Sequence, residues 1–174
     1  MAAPTRIAAL TLAACALAGS PALARAQAMP NPYGAPITTE TAKKAAAAAL
    51  AEARKNGWVV QVTVVDAGGA VAYVERIDGV QYGSAETSLE KARTAVAFKR
   101  PSKAFEDVVI AGKLQVMKLP GAVTLEGGVP LLVDGKIVGA IGISGATSAQ
   151  DGQCARAGAD ALTPPAAPPA GPKP

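Results

Sequence analysis

The sequence predicts an α+β domain in which helices pack on an antiparallel sheet of about five strands. Two β-hairpins indicate this architecture. In the first, an Asp66-Ala-Gly-Gly69 turn separates two apolar runs, a pattern typical of paired strands. In the second, Asp134-Gly135 stands between apolar runs, and Asp-Gly suits a type I′ turn because both central residues need positive φ. Helical sequence between the hairpins supplies the layers that cover the sheet.

The first helix and the first hairpin open the predicted domain. Thr38 or Thr39 can cap the helix, with Glu40 in the first turn, where the helix dipole favours negative charge. An alanine-rich run continues to Lys55, and the Asn-Gly pair at 56–57 ends the helix. The strands of the hairpin are predicted over 58–66 and 70–76.

A second helix is predicted from Ser84, as the N-cap, to the Arg100-Pro101 pair, because a residue before proline avoids the helical region. Its predicted buried stripe follows the helical repeat and consists of Ala85, Leu89, Ala92 and Val96. Ser102 is expected to cap a third, short helix that ends near Ala111. The remaining predicted elements are strands at 121–125, 129–133 and 137–144, and a closing helix at 148–162.

Both ends of the chain are predicted to lie outside the folded domain. Residues 1–26 are typical of a bacterial export signal, because Arg6 precedes a short apolar core and two A-x-A sites favour cleavage after Ala26. A lipobox-like Leu-Ala-Ala-Cys at 12–15 leaves open a lipid anchor on Cys15 instead. Residues 27–36 are predicted as a linker, 37–162 as the domain and 163–174 as a disordered Pro/Ala-rich tail. We therefore expect a periplasmic or secreted protein without a membrane span.

The charge and the cysteine content exclude some classes of function. The formal net charge is +4, and removal of residues 1–26 leaves +2, because they contain two arginines and no acidic residue. With scattered basic residues and only 3% aromatic residues, nucleic-acid binding is not expected. Without Cys15, Cys154 is the only cysteine, so no intramolecular disulfide can form. Its alanine-rich helical surroundings predict a small buried residue.

Seven short motifs occur in one order along the predicted domain: Asp66-Ala-Gly-Gly69, Arg76-Ile-Asp-Gly79, Lys91-Ala-Arg-Thr-Ala95, Gly127-Gly-Val-Pro130, Asp134-Gly135, Gly139-Ala-Ile-Gly-Ile-Ser-Gly145 and Asp151. This pattern resembles the GlcG/HbpS-like haem-binding family. The resemblance implies a profilin-like α-β-α domain, assembly into a homo-oligomer, and haem or another tetrapyrrole as the ligand. Members of the family include secreted haem-binding proteins, domains fused to corrinoid adenosyltransferases, and a protein of glycolate operons.

The sequence contains no histidine. This absence removes the Ser-His-Asp triad, the usual zinc sites and the commonest axial ligand of haem iron. If iron haem binds, its ligand must be Tyr, Met, Lys, Cys, a hydroxyl or water. Tyr82 is the first choice, since tyrosine ligates haem iron in catalase, and Lys91 and Met117 follow. An ordinary surface tyrosine and a core methionine are the alternative interpretations of Tyr82 and Met117.

The second predicted helix carries further candidate ligand-binding residues. In the family that the sequence resembles, the K-A-x-T-A segment lines the ligand pocket, which implies the same role for Lys91 and Thr94. Phe98 continues their line at i+7. Lys91 would pair with an anionic group such as a haem propionate or a small carboxylate. The alternative is a solvated lysine, although the helix offers it no acidic residue at i±3 or i±4.

Glu126-Gly127-Gly128 is the other candidate ligand-binding segment. Adjacent glycines let a ligand approach the backbone closely and can direct amides at an anion. The alternative is a plain turn between two strands. The small residues at 144–151 before the closing helix are a further candidate anion cradle, with Asp151 expected to cap or orient structure.

Together these observations favour an exported protein that binds haem and sequesters or stores it. Two alternatives stay open: an enzyme acting on haem or on a small carboxylate such as glycolate, and an oligomeric scaffold without a ligand. Binding is favoured over catalysis because the sequence presents no nucleophile–base pair and no cluster of metal-ligating residues.

Overall fold

A computed structural model describes residues 30–163 of the chain. The predicted export signal with Cys15, and residues 164–174 of the predicted tail, lie outside the described residues. The elements are α1 (Thr39–Lys55), β1 (Gln61–Asp66), β2 (Val71–Arg76), α2 (Ser84–Ala97), α3 (Lys103–Ile110), a 3-10 helix (Leu114–Lys118), β3 (Gly128–Val133), β4 (Lys136–Ser144) and α4 (Ser148–Asp160). Within residues 30–163, no helix is both long and apolar enough to cross a membrane.

The sheet is antiparallel, with the strand order β2-β1-β4-β3. The predicted α+β architecture is confirmed, but the sheet of the described chain has four strands because residues 121–125 form no strand. Backbone groups of this segment form hydrogen bonds with the side chain of Thr94 instead of with a neighbouring strand. The Thr94 hydroxyl donates to the Gly121 carbonyl at 3.2 Å and accepts from the Val123 amide at 2.9 Å. These bonds hold the segment beside α2 and away from the sheet.

The sheet separates two helical layers, as an α-β-α domain requires. Strand alternation directs Val62 and Val64 of β1 into the larger core, which α1 and α4 cover with small residues. Val65 lies on the other face, where it packs with Ala92 and Val96 of α2. Thr38 caps α1 as predicted, its hydroxyl accepting the amide of Thr41.

Helix α2 lies unusually close to the sheet. A Cβ on Gly142 would overlap the Ser88 carbonyl oxygen, and a Cβ on Gly128 would overlap the Lys91 carbonyl oxygen. Only glycine, which has no Cβ, fits at these two positions beneath the helix.

The buried stripe of α2 therefore differs from the predicted one. Ala85 is exposed and Leu89 is half-buried, whereas Ala92 and Val96 are buried as expected. The first turns of α2 bury polar residues, and the Ser88 and Thr63 hydroxyls pair at 2.7 Å. The helix N-cap is Gly83 in place of the predicted Ser84. Ser84 lies one residue further into the helix, and its hydroxyl is buried without a hydrogen-bond partner among the described residues.

Candidate functional site

Lys91 and Asp151 form a buried ion pair at the end of the sheet. The Lys91 Nζ donates to Asp151 Oδ2 at 2.8 Å and to the Ile143 carbonyl at 3.1 Å. Their side chains are only 2% and 3% exposed. Lys91 belongs to α2 and Asp151 to α4, which cover opposite faces of the sheet. The Lys91 side chain passes the sheet beside Gly127, where a Cβ would come within 2.9 Å of its Nζ.

The surroundings of Asp151 shift the pKa of its carboxyl group. Burial raises the pKa of this carboxyl above its ordinary value, while the hydrogen bond and charge of Lys91 and the Ala146 amide lower it. The Ala146 amide donates to Asp151 Oδ1 at 3.1 Å, so both carboxylate oxygens have partners. The pair joins the two helical layers through the sheet.

This pairing bears on the predicted role of Lys91. Its ammonium already has an anionic partner within the chain, so an external anion would have to displace Asp151. The sequence indicated that Lys91 had no acidic partner along its own helix. It gave no signal that the partner lies 60 positions away, since only the tertiary structure brings α2 and α4 together at this point.

Thr94 and Phe98, the other candidates on α2, contact neighbouring loops and helices. Thr94 is buried and holds the 121–123 segment through its hydroxyl. Phe98 is half-buried and meets the Phe105 ring edge-on, with centroids 5.1 Å apart. Arg100 lies over the Phe105 ring at 5.8 Å. Neither Thr94 nor Phe98 lines the two cavities described next.

Glu126, Gly127 and Gly128 line one wall of a cavity of about 140 Å³, so the structure brings these three predicted residues together. The Glu126 carboxylate is 8% exposed and accepts a hydrogen bond from Arg156 of α4 at 2.6 Å. Lys103 lies 3.9 Å from its other oxygen. Lys103 and Arg156, both about half-exposed, also border the cavity. Sequence reasoning missed these two cations, which sit on different helices and carry no motif.

A second cavity, of about 210 Å³, shares Pro101 and Val129 with the first. Both therefore lie along β3, which is an edge strand of the sheet. Lys99 lines the second cavity and lies over the Tyr33 ring at 4.2 Å. The two cavities form an open, mostly apolar groove with Lys99 in one part and Lys103 and Arg156 in the other.

The predicted iron ligands Tyr82 and Met117 are on the outer surface. Tyr82, just before α2, is 92% exposed, and Met117, in the 3-10 helix, is 60% exposed. The core role considered for Met117 is therefore wrong. Neither residue lines the groove. Of the three predicted iron ligands, only Lys91 is buried, whereas Tyr82 and Met117 are exposed on two different segments.

Two further kinds of site, a metal-binding cluster and a reactive thiol, can be checked among the described residues. Residues 30–163 contain no group of three or more His, Cys, Asp or Glu side chains placed to hold a metal ion. Cys154 is fully buried, which confirms the predicted small core residue. Burial raises the pKa of its thiol to about 11, so the nucleophilic thiolate is scarce at neutral pH.

Known proteins match the chain over most of the described residues. Residues 37–160 match the family described as "Haem degrading protein HbpS-like". The chain is 42% identical to Protein GlcG of Escherichia coli over 108 residues, which span 62% of this chain and 81% of GlcG.

Two solved structures have a similar fold. A double mutant of HbpS from Streptomyces reticuli matches with a TM-score of 0.68 and 32% identity, covering 90% of this chain and 99% of that one. A PduOC chain solved as a haem complex matches with a TM-score of 0.65 and 30% identity, covering 73% and 95%.

Proposed function

The chain belongs to the HbpS-like family, and from this premise we propose that it binds haem and sequesters or stores it outside the cytoplasm. The observation that carries the proposal is the family match over residues 37–160, which is nearly all of the described chain. The PduOC chain with the same fold was solved with haem. The export predicted from residues 1–26 supports a role outside the cytoplasm.

The dimensions of the cavities favour a haem held at the surface. They measure about 140 and 210 Å³, whereas pockets that enclose drug-sized ligands measure roughly 300–1,000 Å³. Neither of these two cavities is therefore large enough to enclose the whole macrocycle. A surface site can use an exposed iron ligand, which Tyr82 supplies, or cations for the propionates, which the groove supplies at a different position.

Tyr82 is the proposed iron ligand. Its phenol is nearly fully exposed, and the chain has no histidine that could compete for the iron. Met117 is the next candidate because it too is exposed. Lys91 is the least accessible of the three, since its ammonium is buried against Asp151. A single weak oxygen ligand favours high-spin ferric iron.

The groove is the alternative position for the haem, held by apolar walls and by propionate contacts with cations, because Tyr82 does not line it. Of these cations, Lys103 and Arg156 are exposed and Lys99 is half-buried. Lys103 and Arg156 border its smaller cavity and Lys99 the larger one. Charge-assisted hydrogen bonds from such cations to carboxylates are among the stronger polar contacts in proteins. Glu126 neutralises part of this charge and fixes the Arg156 guanidinium.

A second candidate function, haem degradation, is favoured by the description of the matching family as haem-degrading. The two functions differ in whether the bound haem stays chemically intact when a reductant is added in the presence of air. A stored haem keeps its absorbance after reduction and reoxidation, and a degraded haem loses it.

A hemin titration of the chain beginning at Gln27 tests the proposal. We expect a Soret band that saturates at one haem per chain, with a high-spin spectrum and a tyrosinate charge-transfer band. The absence of a saturable Soret band would contradict haem binding. Progressive bleaching after addition of ascorbate would support degradation over storage.

Tyr82→Phe should remove the charge-transfer band while leaving the circular dichroism unchanged. Tyr73→Phe is the matched control, because the Tyr73 phenol is engaged with Glu75 at 2.7 Å and should not reach the iron. An unchanged spectrum in Tyr82→Phe would transfer the ligand role to Met117 or solvent. N-terminal sequencing of periplasmic protein tests export, with Gln27 or Arg25 expected as the first residue.

A further inference from the structure

A third cavity extends the groove along β3 toward the end of the described chain. It measures about 330 Å³ and shares Asn31 and Leu132 with the larger cavity of the groove. Thr163, the last described residue, also lines it. The chain beyond residue 163 therefore starts at one end of a row of three cavities beside the edge strand of the sheet.

Residues 164–174, called the tail here, have a composition that favours one backbone conformation. Six of these eleven residues are proline, which fixes φ near the polyproline II value and has no amide hydrogen. Pro165 and Pro168 have P-x-x-P spacing. Pro-rich segments of this kind dock in surface grooves as polyproline II helices, which lose little entropy on binding because they are already formed.

The lining of the groove suits such a segment. Apolar side chains form most of the lining of its larger cavity, namely Pro101, Val129, Pro130, Leu132 and Ile137. These side chains can pack against proline rings. Asn31 and Lys99 line the same cavity and can donate hydrogen bonds to carbonyls, which are the only backbone hydrogen-bonding groups that proline retains.

Addition of the tail to β3 as a further strand is not favoured. Pro130 lies within this edge strand, and proline is one of the residues that keep edge strands from pairing with another segment. The prolines of the tail also lack the amide hydrogens that a strand ladder requires. Packing of side chains in the groove is therefore the mode of contact that fits both partners.

The tail is long enough to follow the groove. A polyproline II segment rises about 3.1 Å per residue, so residues 164–169 span roughly 19 Å. The strand β3 (Gly128–Val133) has six residues and spans about 20 Å. Because the tail is joined to the domain at the end of the groove, its effective concentration there is on the order of millimolar. Even a weak contact is then populated.

We propose that the tail docks in the groove of its own chain as a polyproline II segment that follows β3. A docked tail leaves Tyr82 exposed, because Tyr82 lines none of the three cavities. It would occupy the alternative haem position, so a haem in the groove has to displace the tail. The docking requires no haem and is tested without it, so its failure and that of the proposed function are separate results.

A spin label on the tail tests the docking. In the chain beginning at Gln27, Cys154 is the only cysteine and is buried, so Ala170→Cys provides a selective site for a nitroxide. Docking brings residue 170 to the end of the groove that is remote from Thr163. We expect the label to weaken the amide NMR signals of Gly128 and Val129 more strongly than those of β2, which is the opposite edge of the sheet.

Proline substitutions in the labelled chain show whether the tail recognises the groove. Pro165→Ser with Pro168→Ser should remove most of the preferential loss of signal, since serine lacks the ring and the fixed φ. Pro172→Ser with Pro174→Ser is the matched control, because these two prolines lie beyond the docked part. The control should retain the preferential loss.

Substitutions in the groove test the other partner. Leu132→Thr removes apolar surface that lines both the larger and the third cavity, and it should reduce the preferential loss of signal. Val133→Thr is the control, since Val133 is exposed on the same strand and lines none of the three cavities. Circular dichroism of each variant shows whether the fold is retained.

Three outcomes would overturn the proposal. Equal loss of signal at β2 and β3 would mean that the tail has no preferred position. Loss of signal confined to unlabelled copies that are mixed with labelled ones would assign the groove to the tail of another copy. Groove signals that respond to substitution of residues 27–29 and not to the label would assign the groove to the segment that precedes Asn31.

Discussion

Replacing Lys91 by Met should destabilise the fold strongly at neutral pH. Methionine keeps the length and the apolar stem of the side chain but removes the ammonium that bonds to Asp151 Oδ2 and the Ile143 carbonyl. Removal of one partner from a buried ion pair costs about 3–5 kcal/mol. For a domain of this size, we expect the melting temperature to fall by about 12–20 °C.

The destabilisation should depend on pH, with a sign that follows from Asp151. Burial already raises the pKa of Asp151 above 3.8, and Lys91→Met removes two influences that lower it. A carboxyl with a raised pKa in the folded state contributes stability that is present below 3.8 and is lost as the pH rises through the folded pKa. The difference between Lys91→Met and wild type should therefore be smallest near pH 4 and grow toward neutral pH.

Urea unfolding followed by circular dichroism at several pH values measures this effect. The control is Lys91→Met combined with Asp151→Asn, which removes both charges of this buried pair and keeps an oxygen to accept a hydrogen bond from the Ala146 amide. This double variant should recover part of the lost stability and lose the pH dependence. A Lys91→Met variant of wild-type stability that binds hemin less tightly would refute this reasoning. Such a result would make Lys91 a ligand-binding residue, as the sequence suggested.

Three further predictions concern packing, a loop and the thiol. Gly142→Ala should cost about 3 kcal/mol or more, because a Cβ there overlaps the Ser88 carbonyl. Gly83→Ala, with open space around it, should change the free energy of urea unfolding by only about 0.5 kcal/mol. Thr94→Val should cost about 1–3 kcal/mol by leaving two backbone groups unpaired, and Thr94→Ser should restore the stability if the hydroxyl is the cause. Cys154, with its thiol pKa raised to about 11, should react slowly with a disulfide reagent at pH 8 until urea unfolds the chain; rapid labelling of the folded protein would contradict its burial.

The element order followed closely from local sequence. Turn residues at 66–69 and 134–135 separate apolar runs, and both turns connect antiparallel strands as predicted. The one wrong strand, at 121–125, has an apolar pattern that fits a strand but backbone groups that bond to Thr94. No local signal shows that a threonine 27 positions away provides these partners.

The sequence by itself determined the helices and the hairpins, because caps and turns act over a few residues. Its composition also showed that the chain contains no histidine. The sequence also singled out Glu126, Gly127 and Gly128, which do line a cavity. Only the tertiary structure decided that Lys91 is paired with Asp151, that Arg156 and Lys103 face Glu126, and that Tyr82 is exposed. Burial and charge pairing depend on which distant segments of the chain come into contact. Local sequence patterns do not report these contacts, because the contacts form only when the whole chain packs.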